Sequence, residues 1–335
     1  MGYAGKHMSA WTWANIAAIG LLCSWIASHS YPPIRAVRLR NALLLRPSGP
    51  ADFAWEPSTA PADFALETCA PDPIFADTVR TLGISSNTSD WDAALRLAEH
   101  LTKNAGDRGP IQADLQTTYR RLKQGHGYCA DFTKVYLALA HASGLFARQW
   151  AFSFDGFGGH GHALVEVFDR QRGKWLLLDV FNNFHAIDAA SGEPLSALEF
   201  RERLLDAANT KAKLVKNGAG RPGWSDLSKA FDYYRRGLDQ WYLLWGNAVL
   251  SYDAQPLVCR ASRLSGAIGQ FVAVALRVHP TIRILPTTSN RILVAQLVAL
   301  RARLGLVLIL LVVACIVLAA QLAISMTGPH GAVTP

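Results

Sequence analysis

At 335 residues the chain can bury a full core and hold one large domain or two small ones. Half of it is apolar, with the excess at the two ends, and its net charge of +8 is unevenly spread: no acidic residue follows Asp253, whereas Arg260, Arg263, Arg277, Arg283, Arg291, Arg301 and Arg303 do. Basic stretches beside apolar runs suit anionic headgroups and argue against a nucleic-acid partner; the five scattered cysteines form no CxxC pair and no zinc-type spacing, and nothing favours a Cys69–Cys259 disulfide.

In chain order, the first element is "AWTWANIAAIGLLCSWIAS" (10–28), an apolar run of about the minimum length for a bilayer span. Lys6 and His7 are the basic residues ahead of it. Residues 1–30 thus read as a transmembrane helix or signal anchor, with a cleaved signal peptide ending near 28–30 as the rival. Arg35, Arg38, Arg40 and Arg46 follow. Residues 31–70 are rich in proline and alanine, contain the echo "PADFAWE" and "PADFALE", and read as a linker that packs on the domain through Phe and Trp.

The domain itself is expected over 71–256. "SDWDAALRLAEHLTKN" (89–104) and "IQADLQTTYRRLKQG" (111–125) are amphipathic helices, and the apolar spacing of Phe132, Val135, Tyr136 and Leu139 predicts a third, from Cys129 to Gly144. The period then changes. "ARQWAFSF" (147–154), "GHALVEVF" (161–168) and "GKWLLLDV" (173–180) are short and rich in β-branched or aromatic residues, with "DRQRGK" (169–174) as a hairpin loop. Helices feeding an antiparallel sheet make the fold class α+β. Residues 194–209 and 228–250 read as further helices, the second with a stripe of Phe231, Tyr234, Leu238, Trp241, Tyr242 and Trp245 that is core or packing face, or alternatively a substrate groove. Residues 257–303 form a basic membrane-proximal segment in which 264–278 is too short to span and suits the interface, and the uncharged run 304–326 is a transmembrane helix.

A thiol at a helix start lies in the positive end of the helix dipole, which favours the thiolate, although a small buried cysteine also falls at such places. A thiol nucleophile further needs a base and an orienting group. His162 begins one strand and Asp179 ends the next. Antiparallel pairing through the 169–174 loop brings these two positions together, and the helix from Cys129 has only to place its N-terminus over that edge. Two imidazoles in "HGH" with His126 invite a metal site, but no further ligand completes it, so neither metal nor cofactor is expected. His160 reads as a polar loop residue, His185 and Asp188 as part of the turn after the sheet, and Glu166 as a solvent-facing carboxylate or an arginine partner.

"GYCADFTKVYLALAHASGLFAR", "HALVEVFD" and "KWLLLDV", in this order and spacing, resemble the transglutaminase-like, papain-related cysteine enzymes over about residues 90–185. The resemblance implies Cys129 as nucleophile, His162 as general base and acid, and Asp179 as the residue that orients the imidazole. In this class the oxyanion is held by the nucleophile's backbone N–H and one upstream donor, for which Gln124 and Tyr128 are the candidates. The chain departs at Leu164, where the family has an aromatic residue, which bears on substrate packing.

The expected activity is thiol-dependent cleavage or transfer at amide bonds, with a protein, a peptide or an amide-bearing envelope component as substrate and membrane lipid as neighbour. The alternative is a non-catalytic interaction subunit of a membrane complex, within an envelope or polysaccharide assembly. Arginines on the domain side of both runs favour a cytoplasmic domain at the inner (plasma) membrane, whereas membrane-tethered members of the family often act in the envelope.

Overall fold

The computed structural model describes residues 9–104, 106, 108–111, 113–218 and 227–327; Lys6, His7 and Gln112 lie outside these residues. It opens with helix α1 (Ala10–Ser30), and a short turn leads to α2 (Ala36–Leu44) and a two-residue strand, β1 (Leu45–Arg46). Four helices follow: α3 (Pro73–Thr81), α4 (Asp90–Thr102), α5 (Leu115–Leu122) and α6 (Cys129–Ala142). Their starts are written in the sequence. Ser89 accepts from Asp92 N at 3.1 Å, and Asp114 accepts from Thr117 N at 2.8 Å, satisfying donors that a helix start leaves open.

The meander β2 (Ala147–Ser153), β3 (Gly161–Asp169), β4 (Lys174–Asp179) and β5 (Phe184–Asp188) comes next. At the β3–β4 turn Asp169 Oδ1 accepts from Gln171 N and Arg172 N, and Gly173 takes a φ of 61° that few other residues tolerate. His185 and Asp188, expected in a turn, lie on β5. The chain continues through α7 (Ala197–Arg203), β6 (Ala212–Lys216), α8 (Leu227–Arg235), β7 (Trp241–Trp245), α9 (Val249–Asp253), α10 (Pro256–Leu264), α11 (Gly266–Ala275), β8 (Thr281–Ile284) and α12 (Arg291–Thr327).

The helix expected over 228–250 is therefore α8, β7 and the start of α9. Gly237 lies in the break, where a side chain would strike Phe152, and "WYLLW" finds strand partners on both sides, β2 and β8. Helical spacing of its aromatics coincides with burial on a sheet. The helix expected over 194–209 shrinks to one seven-residue element.

Among the described residues, eight strands run in the order β1-β8-β7-β2-β3-β4-β5-β6. All neighbours are antiparallel except β1 and β8, which are parallel, so one edge departs from the expected antiparallel sheet. The β2 edge of the meander is extended from afar: beyond β7 lie β8, from the basic stretch after 256, and β1, from the stretch read as linker. The class is mixed α+β. One face carries Val165, Val167, Leu176 and Leu178 against α3 to α6. The other carries Leu164, Phe168, Trp175 and Leu177 against Phe53, Trp55, Phe64, α7 and α8. A third cluster joins Ala42, Leu44, Phe157, Tyr242 and Ile284 to Leu297 of α12.

α1 and residues 291–325 of α12 are long and apolar enough to cross a membrane. They pack against each other, and Asn15 Nδ2 donates to the carbonyl of Ala314 at 2.9 Å. The first turns of α12 instead belong to the domain, where Leu297 is buried and Arg301 donates to the carbonyl of Leu45.

Candidate active site

Helix α6 is aimed by the turn before it. Gly125 and Gly127 have φ of 85° and 105°, and a side chain at Gly127 would strike Leu122. Tyr128 N and Ile111 N both donate to Asp131 Oδ2, at 2.8 and 3.1 Å, which fixes the helix start. Cys129 is the first helical residue and is half-buried.

The pairing of β3 with β4 runs from Asp169↔Lys174 to Val165↔Leu178. This register leaves His162 and Asp179 beside each other at the open end of the sheet. Both are buried, and His162 Nε2 lies 2.7 Å from Asp179 Oδ2. The imidazole's other nitrogen, Nδ1, is not engaged by Asp179, and Cys129 stands close enough to the ring for its charge to act on it. The three residues singled out from the sequence are thus brought together from α6, β3 and β4.

Burial works against a charged imidazole, but the charges and hydrogen bonds of Asp179 and Cys129 outweigh it, and His162 is pushed up to about 10. Burial likewise works against ionised Asp179, and His162, Tyr234 and Asn182 overcome it, so that its carboxyl is held below the ordinary range.

Two further groups hold Asp179. Tyr234 of α8 donates to Oδ2 at 2.5 Å, and Asn182 donates its N–H to Oδ1 at 2.9 Å and its side-chain amide to Oδ2 at 2.8 Å. By strand alternation Asp179 faces the same side as Leu177 and Trp175, the side that α8 covers, which is why Tyr234 reaches it. The sequence reading placed Tyr234 in an apolar stripe. The signal that could have found its role is that a buried tyrosine hydroxyl needs an acceptor. Asn182 carried no such signal beyond its place in the turn after Asp179. Around the imidazole stand Phe152, Tyr233 and Phe181, with ring centroids 5.7, 5.6 and 6.1 Å away.

The other candidates fall elsewhere. The N–H of Tyr128 is engaged by Asp131 and its ring is exposed; Gln124 is exposed in the turn after α5, where its N–H donates to Arg121 O. The N–H of Cys129 itself belongs to the first helical turn, whose donors lack intrahelical acceptors. His160 is exposed in the β2–β3 loop while His162 is buried, so the two imidazoles of "HGH" diverge in environment. Glu166 is fully buried and is the partner of Arg148 at 2.8 Å, the second of its two expected roles; the first fails because both faces of the sheet are covered.

Residues 78–180 match the family model described as the transglutaminase-like superfamily, a stretch that contains Cys129, His162 and Asp179. No curated protein and no solved structure matches the chain. Between Thr78 and Val180 the chain therefore carries a transglutaminase-like superfamily domain.

Proposed function

We propose that the protein is a membrane-anchored thiol enzyme that cleaves or transfers at amide bonds through a thioester on Cys129. The observation that carries this reading is the convergence of Cys129 and Asp179 on one buried imidazole. His162 takes the thiol proton at Nδ1 while Nε2–H is held by Asp179. The sulfur attacks the amide carbonyl carbon, and a tetrahedral oxyanion forms beside the N–H of Cys129. His162 then returns the proton to the departing nitrogen as the C–N bond breaks. Water or an amine attacks the thioester, giving its proton to His162, and the C–S bond breaks to release acid or new amide.

Asp179 holds the ring in the useful tautomer and stabilises its protonated form. Tyr234 and Asn182 in turn keep Asp179 in place. The anchor is the pair α1 and α12. Arginines at 35, 38, 40 and 46 and at 291, 301 and 303 cluster at the domain side of both helices, which supports a cytoplasmic domain at the inner membrane.

Cys129→Ala is the test. Turnover of an amide substrate, or rescue of a deletion strain, is expected to fall by about 10⁴-fold or more at normal protein level. Full rescue would end the enzyme reading in favour of an interaction subunit.

A further inference from the structure

Helices α10 and α11 form a hairpin so close that a side chain at Gly269 would strike Ser262. Its turn and outer surface leave apolar side chains in water: Leu264 is 81% exposed, Leu257 55%, Ile268 47% and Leu276 43%. Among them stand Arg260, Arg263 and Arg277, all exposed, and among the described residues none of the three has an acidic partner. Apolar residues with interspersed arginines and no carboxylates match the interfacial layer of an anionic bilayer, where the apolar groups enter the acyl boundary and guanidinium groups remain among headgroups.

The position of the hairpin names the same occupant. α11 packs on α2, with Arg40 Nη1 donating to Gln270 Oε1 at 3.1 Å. α2 begins six residues after α1 ends and packs on α12. The hairpin therefore stands beside both long apolar helices at their domain ends. Its base is tied to the candidate site as well. Asp253, just ahead of α10, accepts from Leu115 N at 3.0 Å and from Lys134 Nζ at 3.4 Å, and its carbonyl accepts from Cys259 Sγ at 3.0 Å. Lys134 lies on the helix that opens with Cys129.

We propose that the α10–α11 turn sits in the interface of an anionic bilayer and holds the Cys129 helix close to that surface, so that the amide taken is one carried by a membrane-bound molecule. The substrate half rests on the thiol reading above; the seating half does not.

The full chain in nanodiscs of phosphatidylcholine and phosphatidylglycerol tests both. For seating, the five native cysteines are replaced by alanine and a bimane label is placed at Leu264→Cys or, as reference, at Ser191→Cys in an exposed turn. A lipid nitroxide at the carbonyl level is expected to halve emission, roughly, at 264 and to leave 191 unchanged. Equal loss at the two positions overturns the seating, as does a label at 264 that responds only to an added protein.

For the substrate, Cys129 of the native-cysteine chain is alkylated by iodoacetamide free in water or carried on phosphatidylethanolamine, with modification followed per cysteine by mass spectrometry. The lipid-borne reagent is expected to act about tenfold faster at equal total concentration. Leu264→Asp with Ile268→Asp should reduce that preference below about threefold while leaving the water-borne rate unchanged. No preference, or one that survives the double variant, overturns the substrate half. A Cys129 inert to both reagents, with 264 still quenched, sinks the thiol reading and leaves the seat standing.

Discussion

Two buried ion pairs lie on strand β3, and they make opposite use of burial. Glu166 stands directly across from Arg148 of β2. Its Oε2 accepts from Arg148 Nε at 2.8 Å and Trp150 Nε1 at 2.6 Å, and its Oε1 from Ala197 N at 2.6 Å. The guanidinium lies 3.8 Å from the ring centroid of Trp175 and 4.9 Å from that of Trp55, and it donates to Phe53 O. This pair ties the segment before the domain, the sheet and α7 into one body. Four residues toward the start of the strand, His162 and Asp179 are also buried, yet this pair contains an imidazole, a group able to take up and release a proton, and Cys129 acts on it as well. Burial and charge alone do not distinguish a site from a strut. What distinguishes them is a partner that changes protonation state and keeps one reactive direction open.

Asp179→Asn should break that contrast most. The fold is expected to persist, and activity to fall by about 10³- to 10⁴-fold, because the amide no longer enforces the useful tautomer. Turnover measured beside a circular-dichroism melt checks both halves. Glu166→Gln should do the reverse: it leaves Arg148 buried without its counter-charge and costs about 3–5 kcal/mol of stability, with turnover per folded molecule little changed. Denaturant melts and active-site titration separate the two.

The His162–Asp179 pair also carries a pH response. His162 is raised from 6.5 to about 10 on folding, so the stability it contributes is full below about 6.5 and is lost as the pH climbs through about 10. Asp179 is lowered, so its contribution is present above the ordinary carboxylate value of 3.8 and is lost as the pH falls through its depressed folded value. Melts from neutral to alkaline pH should show the loss in the parent and in Glu166→Gln, and not in Asp179→Asn.

The smallest effect belongs to Tyr234→Phe. It removes one of the donors on Asp179 Oδ2 and leaves the ring's packing in place. About a tenfold loss of kcat/KM is expected, in line with one hydrogen bond to a charged group. A shifted pH–rate profile would mark the change as acting through Asp179 and His162; an unchanged profile with a lower melting temperature would make Tyr234 a packing residue.

The sequence by itself determined whatever depends on neighbours along the chain. Capping residues and apolar period located α4, α5 and α6, and alternation with turn residues located β2, β3 and β4. A short loop joining two antiparallel strands places the start of one beside the end of the other, so the neighbourhood of His162 and Asp179 is legible in the sequence alone. The apolar stretches of α1 and α12 were legible for the same reason, although α12 begins at Arg291, 13 residues ahead of the expected start at 304. Tertiary structure alone decided the rest. "WYLLW" is a strand because β2 and β8 stand on either side of it, which its helix-like spacing could not disclose. Glu166 is buried because Phe53, Trp55 and α7 cover a face that the strand pattern left open. Tyr234 serves Asp179 from 55 residues away, and β1 and β8 complete the sheet across more than 230. Contacts at such separation are selected by the packing of the whole core, and no local period records them.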